Sequence, residues 1–283
     1  MSDPVTYTAV LPVDEDTVQF GSALLAADRR QRRTRPKRRA LGCYRQAVLI
    51  LRWFLDGTRL AQLAADNDIG RSTAYRYLHE GIDVLADRAP GLRGALLAAR
   101  VAGHSHVTVD GTLIRSDRCH VPGPTARTDR SGRQVDLWWS GKHAAHGGNI
   151  QVIAAPDGWP LWTSPVRPGR EHDTTALRTH PEALPLLAEW NDAEHAALGD
   201  LGYEGERDAL TTPVKTPAGR RLTDDERCLN VLHAATRAPA ERGNSLLKTT
   251  FKALRRVSLC PWRIGAITAA ALVLLHHMHN RTT

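Results

Sequence analysis

The chain has 283 residues, 42% hydrophobic and 24% charged, which gives room for one large domain or two modest ones and excludes disorder as the default. Lys and Arg number 38 against 30 Asp and Glu, a net charge of +8 with a pI near 9.7, which suits a polyanionic partner. Cys43, Cys119, Cys228 and Cys260 form no CxxC pair, no signal-peptide pattern opens the sequence, and the apolar run 264–275 is too short for a bilayer, so the expectation is a soluble, cytoplasmic protein with reduced thiols and neither zinc ribbon nor membrane anchor.

Residues 1–40 read as a basic arm or linker. Arg29, Arg30, Arg32, Arg33, Arg35, Lys37, Arg38 and Arg39 repel one another, and Pro36 breaks any helix among them. Such a run suits an arm on DNA phosphates or a solvated linker.

Residues 41–103 read as an all-α domain. From Tyr44, the apolar residues Ala47, Val48, Leu51, Phe54 and Leu55 recur at helical spacing. Gly57 ends that helix and Thr58 can cap the next, which carries Leu60, Leu63 and Ala64. The stretch from Asp68 to Leu78 then has the pattern of a helix-turn-helix. Gly70 suits the turn, Ser72 can cap a second, short helix, and Ala74 and Leu78 face inward. Arg71, Thr73, Tyr75, Arg76 and His79 are left to face DNA, as on a recognition helix in the major groove. A plain helical hairpin is the structural alternative. Pro90-Gly91 and Ala102-Gly103 bracket a last helix, and the domain boundary falls near 103.

Residues 104–283 change period. Val107 to Asp110 is a short apolar strand ending in a carboxylate, and Gln134 to Ser140, Asn149 to Ala155 and Trp159 to Val166 are further strands. A helix is expected over Thr174 to Trp190, and a strand from His195 to Leu198 leads into Gly199-Asp200. The chain is helical after Thr223, with breaks near Pro239 and Pro261. The fold class is therefore a mixed α/β (α+β) sheet with helices on its faces, preceded by the all-α domain.

Asp110 and Asp200 close their strands, where sites gather in such sheets. Two acids brought together there repel unless a cation joins them, and Mg²⁺ with oxygen ligands suits that role. Two such ions about 3.5–4 Å apart serve phosphodiester chemistry. Glu241 begins a helix after Pro239. At about 100° per residue, Asn244, Ser245, Lys248, Lys252 and Arg255 follow Glu241 on one stripe, so a carboxylate leads into a row of cations for DNA phosphates. An amphipathic surface helix is the alternative. Asp173 competes with Asp200 as second carboxylate, or else caps the helix ahead of Thr174. Trp138, Trp139, Trp159 and Trp162 suit base stacking or, more simply, core packing. Lys142, His143 and His146 suit phosphate contacts or a solvated turn, and His276, His277 and His279 the surface of a final helix.

Three segments carry a family resemblance: Val109-Asp110-Gly111-Thr112, Gly199-Asp200-Leu201-Gly202-Tyr203, and Arg237-x3-Glu241-x6-Lys248. They resemble the three blocks of bacterial insertion-sequence transposases, in the group with the Harbinger/PIF-like DDE transposases. Pro168 to Asp173 resembles that family's block before the first catalytic-domain helix. The likeness runs from about residue 40 to the C-terminus, in the right order, with 40 residues between Asp200 and Glu241. It implies an RNase H-like catalytic domain in which Asp110, Asp200 and Glu241 hold two Mg²⁺ ions, with Mn²⁺ as a substitute. The implied activity is cleavage at a transposon's terminal inverted repeats and joining of the 3′-hydroxyl to target DNA. Lys248 would contact the terminal phosphate with Arg237 supporting it, and protomers would pair on double-stranded DNA as a homodimer or higher assembly. Some relatives carry a Tyr three residues before the Arg, where this chain has Ala234. A catalytically silent helix-turn-helix regulator and a structure-selective nuclease are the alternatives.

Overall fold

In the computed structural model, which describes residues 10–35, 38–124, 132, 134–216 and 218–283, five helices precede a mixed sheet. Pro36, Lys37 and the first nine residues of the expected arm lie outside the described residues. The rest of that arm departs from expectation. Residues Glu15–Gln31 form helix α1, seated by the buried Thr17, Val18 and Leu25. With Val18 and Leu25 seven residues apart as its main apolar marks, its periodicity is faint in sequence. The cations are also partly tied down. Arg29 donates to the Leu41 carbonyl and, at 2.5 Å, to Gln46 Oε1, and Arg39 pairs with Glu80 and lies over the Tyr77 ring.

Helix α2 (Cys43–Asp56) ends where Gly57 takes φ of +66°, a left-handed C-cap that costs glycine no steric penalty. Helices α3 (Leu60–Asp66) and α4 (Arg71–Ala86) follow. Neither Thr58 nor Ser72 caps a helix, because α3 starts after Arg59 and α4 after Gly70, neither with a side-chain cap bond. The left-handed residue of the turn is Asp68 (φ 52°), while Gly70 is extended. Asp tolerates that region because its short side chain can bond locally. The second helix is one continuous rod to Ala86.

Helix α5 (Leu92–Val101) packs against the sheet region. One hydrophobic cluster runs from Val18 through Phe54 and Val109 to Leu275.

Strand β1 (His106–Arg115) is central. It pairs antiparallel with β3 (Ala145–Ala154) and parallel with β6 (Ala196–Leu198). The far edge of β3 is covered in turn by β2 (Trp139–Ser140), β4 (Pro160–Thr163) and β5 (Arg167–Pro168). This central strand, antiparallel to one neighbour and parallel to the other, fits the RNase H-like expectation. Three boundaries are corrected. β1 does not stop at Asp110, since Gly111 stays within the strand. The expected strand 134–140 shrinks to β2. The helix expected over 174–190 is two, α6 (Asp173–Arg178) and α7 (Ala183–Trp190), broken before Pro181, which disfavours helix in the residue ahead of it.

Helix α8 (Asp224–Arg237) starts as expected, with Thr223 and Glu226 forming a reciprocal capping box. Helix α9 (Ala240–Thr250) is shorter than the sequence suggests. Phe251 turns out of the helix to bury itself edge-on against Phe54, ring centroids 6.0 Å apart. Helix α10 (Ile264–Met278) packs along α4, and Arg263 bonds Asp83 at 2.6 Å. Among the described residues no helix is long and apolar enough to cross a membrane. Trp138, Trp159 and Trp162 are buried in the core, and Trp139 is half-buried. His276 is not on the surface: it is buried, bonded to the Pro160 carbonyl and stacked on Trp159, while His277 stacks on Phe20.

Candidate active site

The pairing of β1 with β6 builds the site. Thr108 stands opposite Leu198 in the parallel register, and two residues beyond them come Asp110 and Asp200. Side chains two apart share a strand face, so the register brings the two carboxylates to one level on one side. Asp200 lies just past β6, where its Oδ1 accepts the Gly202 N–H at 2.8 Å and caps a 3-10 turn.

Asp173 is the third acid of this group. It is the first residue of α6, and His172 holds the N-cap, so Asp173 is not the cap expected ahead of Thr174. Its carboxylate turns to the sheet instead. Oδ1 accepts from Asn149 Nδ2 at 2.8 Å, and Oδ2 from Lys142 Nζ at 3.2 Å. A Cβ at position 111 would stand 2.0 Å from Asp173 Oδ1, which is why only glycine fits between the two acids Asp110 and Asp173.

Behind Asp173 runs a buried polar chain. The Tyr203 hydroxyl donates to Gln151 Oε1, Gln151 Nε2 to Asn149 Oδ1 at 2.8 Å, and Asn149 to Asp173. Tyr203 and Gln151 are fully buried, and every link has a partner, as buried amides require. Tyr203 stands in the block that carries the family resemblance, whereas Asn149 and Gln151 belong to no motif. Polar side chains alternating inside the apolar run of β3 were the available signal for these two amides.

Helix α9 crosses above β1 in register with it. Asn244 Nδ2 donates to Asp110 Oδ2 at 2.6 Å, and Lys248 Nζ to Thr112 Oγ1 at 2.6 Å. Arg237, at the end of α8, stands 3.8 Å from Asp110 Oδ1. Glu241 is exposed, one turn before Asn244 on the same stripe. Among the described residues no group of three His, Cys, Asp or Glu side chains forms a ready-made metal cage, so Asp110, Asp200 and Glu241 are not gathered into one.

The other expected DNA contacts separate. Arg71, Tyr75 and Arg76 are exposed on α4, and Thr73 is half-buried, accepting from Arg76 at 3.2 Å. Lys252 and Arg255 are not on the α9 stripe, because the helix stops at Thr250. Lys252 lies against Gly57, and Arg255 donates to the carbonyls of Lys248 and Thr249 at the helix end.

The electrostatics follow from this crowding. Burial is the largest influence on Asp110 and raises its pKa to about 6. Arg237 opposes the rise, and the charges of Asp200 and Asp173 add to it. Burial holds Lys248 below the usual lysine value, partly offset by Asp110. Lys142 is held above its usual value: burial works against its charge but is outweighed by Asp173, Asp200 and Asp110. Burial lifts the Tyr203 hydroxyl well above its ordinary range, so it stays a donor.

A cleft of about 530 Å³ opens beside these groups, lined among others by Trp139, Lys142, His143, Arg170, Asp173 and Asp200. The donors suit a hard divalent cation. They are oxygens, and Asn244 Oδ1, next to Asp110, is buried without a hydrogen-bond partner. Mg²⁺ is typically held by one or two carboxylates plus substrate phosphate, not by a complete protein cage.

A family model described as DDE superfamily endonuclease matches residues 109–276. A solved structure described as the Mos1 transposase paired-end complex with left transposon end aligns at 11% identity with a TM-score of 0.21, covering 95% of this chain and 82% of that one. No curated protein matches the chain.

Proposed function

Because the chain belongs to the DDE superfamily of endonucleases, we propose that it is a DNA transposase that binds the terminal repeats of its element, cuts the ends by Mg²⁺-dependent hydrolysis and joins the 3′-hydroxyl to target DNA. The parallel pairing of β1 with β6, which ends two residues before Asp110 and Asp200, is the observation that supports this reading. Asp110 and Asp200, with the free oxygen of Asn244, would hold the cation. Glu241 is the proposed third carboxylate. Its stripe supports this, since Asn244 and Lys248, one and two turns on, already touch Asp110 and Thr112. When bound, the cation supplies Lewis-acid stabilisation of charge developing on the phosphate.

The chain's own groups do the rest. Asn244 and Arg237 orient Asp110. Lys248 is a half-buried, preset cation for a backbone phosphate. Arg71, Tyr75 and Arg76 on α4 present the exposed face for the element's ends, in the manner of a recognition helix.

The test is cleavage of DNA carrying the element's own ends, with and without Mg²⁺, by wild type and Asp200→Ala. Metal-dependent cuts at the ends, lost in the variant, are expected. Binding without cutting by wild type would replace the transposase with a silent DNA-binding regulator. Cutting by both proteins would move the second carboxylate to Asp173.

A further inference from the structure

Asp173 and Lys142 form an ion pair of unequal halves. The carboxylate is nearly covered, 16% exposed, and wired through Asn149 and Gln151 to Tyr203, so its position is set by the core. The ammonium is 65% exposed, on the turn between β2 and β3, and is held at the cleft by a 3.2 Å bond to Asp173. An exposed pair of this kind is weak and its lysine is free to leave, whereas the acid is not.

The surroundings make this asymmetry useful. Lys142, Asp173 and Asp200 line the same cleft, and the charges of all three reach Asp110. Three carboxylates need positive charge to stay together. Arg237 is turned to Asp110 and already offsets its charge, and Lys248 is bonded to Thr112, whereas Lys142 is bonded to Asp173.

We propose that Lys142 is an internal counter-ion of the acidic cleft: docked on Asp173, its ammonium sits in the field of Asp110, Asp173 and Asp200 until a divalent cation displaces it. The lysine and the cation then exclude one another, and loading the site releases an ammonium at the mouth of the cleft. Asp173 acts here as a positioning residue, through Lys142. The inference rests on the metal-site reading above.

The test is Mn²⁺ titration of the full chain followed by electron paramagnetic resonance, with no DNA and no turnover. Wild type is compared with Lys142→Met, Lys142→Arg and the double variant Lys142→Met/Asp110→Asn. Lys142→Met should bind Mn²⁺ about fivefold more tightly, the equivalent of losing one exposed ion pair. Lys142→Arg should stay near wild type, and the double variant should lose the gain. Equal affinity in wild type and Lys142→Met, with binding still dependent on Asp110, would overturn the counter-ion alone. No Mn²⁺ binding in any of these proteins would overturn it together with the metal site. Lys142 is largely exposed, so its substitution leaves the core intact, and Lys142→Gln gives a second neutral variant with the same expectation.

Discussion

Asn244 on α9 donates its amide to Oδ2 of Asp110 on β1, a 2.6 Å bond between residues 134 positions apart in sequence. It holds one carboxylate oxygen, while Arg237 stands 3.8 Å from the other. Removing a group that orients a site carboxylate typically costs about 10–100-fold in metal affinity or activity. Asn244→Ala should therefore slow end cleavage by that factor while leaving DNA binding within about twofold. A cleavage time course and a gel shift on one DNA check both; unchanged cleavage would remove Asn244 from the site.

Gly111 leaves the space that Asp173 fills. In Gly111→Ala the new methyl would sit 2.0 Å from Oδ1 and 2.3 Å from Cγ of Asp173, so the acid must swing away from Asn149 and Lys142. Overpacking of this kind costs about 1–3 kcal/mol. Adding Asp173→Ala should recover most of the loss, since the clash is with that side chain. Denaturant unfolding of the two single variants and the double measures the coupling. Additive losses would place the strain elsewhere.

Asp110 makes stability depend on pH. Its carboxyl is raised to about 6 from an ordinary value of 3.8. A carboxyl raised in the folded state contributes its full stability below about pH 4 and loses it as the pH climbs through about 6. The loss is up to about 3 kcal/mol once the acid is ionised. Asp110→Asn carries no charge there, so it should be more stable than wild type at pH 8 by up to that amount and level with it near pH 3.5. Urea unfolding at both pH values decides; the same difference at each would mean that burial does not raise this acid.

Arg76 is exposed on α4, steadied by Thr73 at 3.2 Å. If it meets a DNA phosphate, Arg76→Ala should weaken binding to the element's ends and lower the slope of log affinity against log salt by about one. Equal affinity and equal slope would count against the helix-turn-helix reading.

Local signals were legible in the sequence where one rule acted alone. The Gly57 stop, the helix start after Thr223 and the apolar face of α2 are decided within a few residues, and the structure has each of them. The signals failed where distant packing intervened. Gly111 reads as the end of a strand, yet it continues β1 because Asp173, 62 positions on, needs its missing side chain. Phe251 looks helical, yet the core beside Phe54 draws it out of α9 and takes Lys252 and Arg255 off the stripe. At the site, Asp110, Asp200, Arg237 and Lys248 stood out as charges in motifs. Asn149 and Gln151 did not, since uncharged amides announce themselves only through partners that the fold supplies. Asp173 is visible as an acid, but strand-end position favours Asp200 in the sequence and leaves Asp173 to a helix cap; only the packing of α6 against β3 turns it to the site.

The seam between the helices and the sheet has a geometric consequence. Phe54 meets Phe251, α10 lies along α4, and Arg263 is bonded to Asp83, so α4 is clasped by elements that come after the whole catalytic sheet in sequence. The span from Arg76 to Asp110 is then a dimension of a solid body, not the reach of a tether. Lengthening the loop between α4 and α5 would not change it. If, as proposed, the first grips a duplex and the second stands beside the cut, the molecule works as a calliper with its jaws already set, and the number of base pairs between grip and cut follows from the packing of Phe54 and α10.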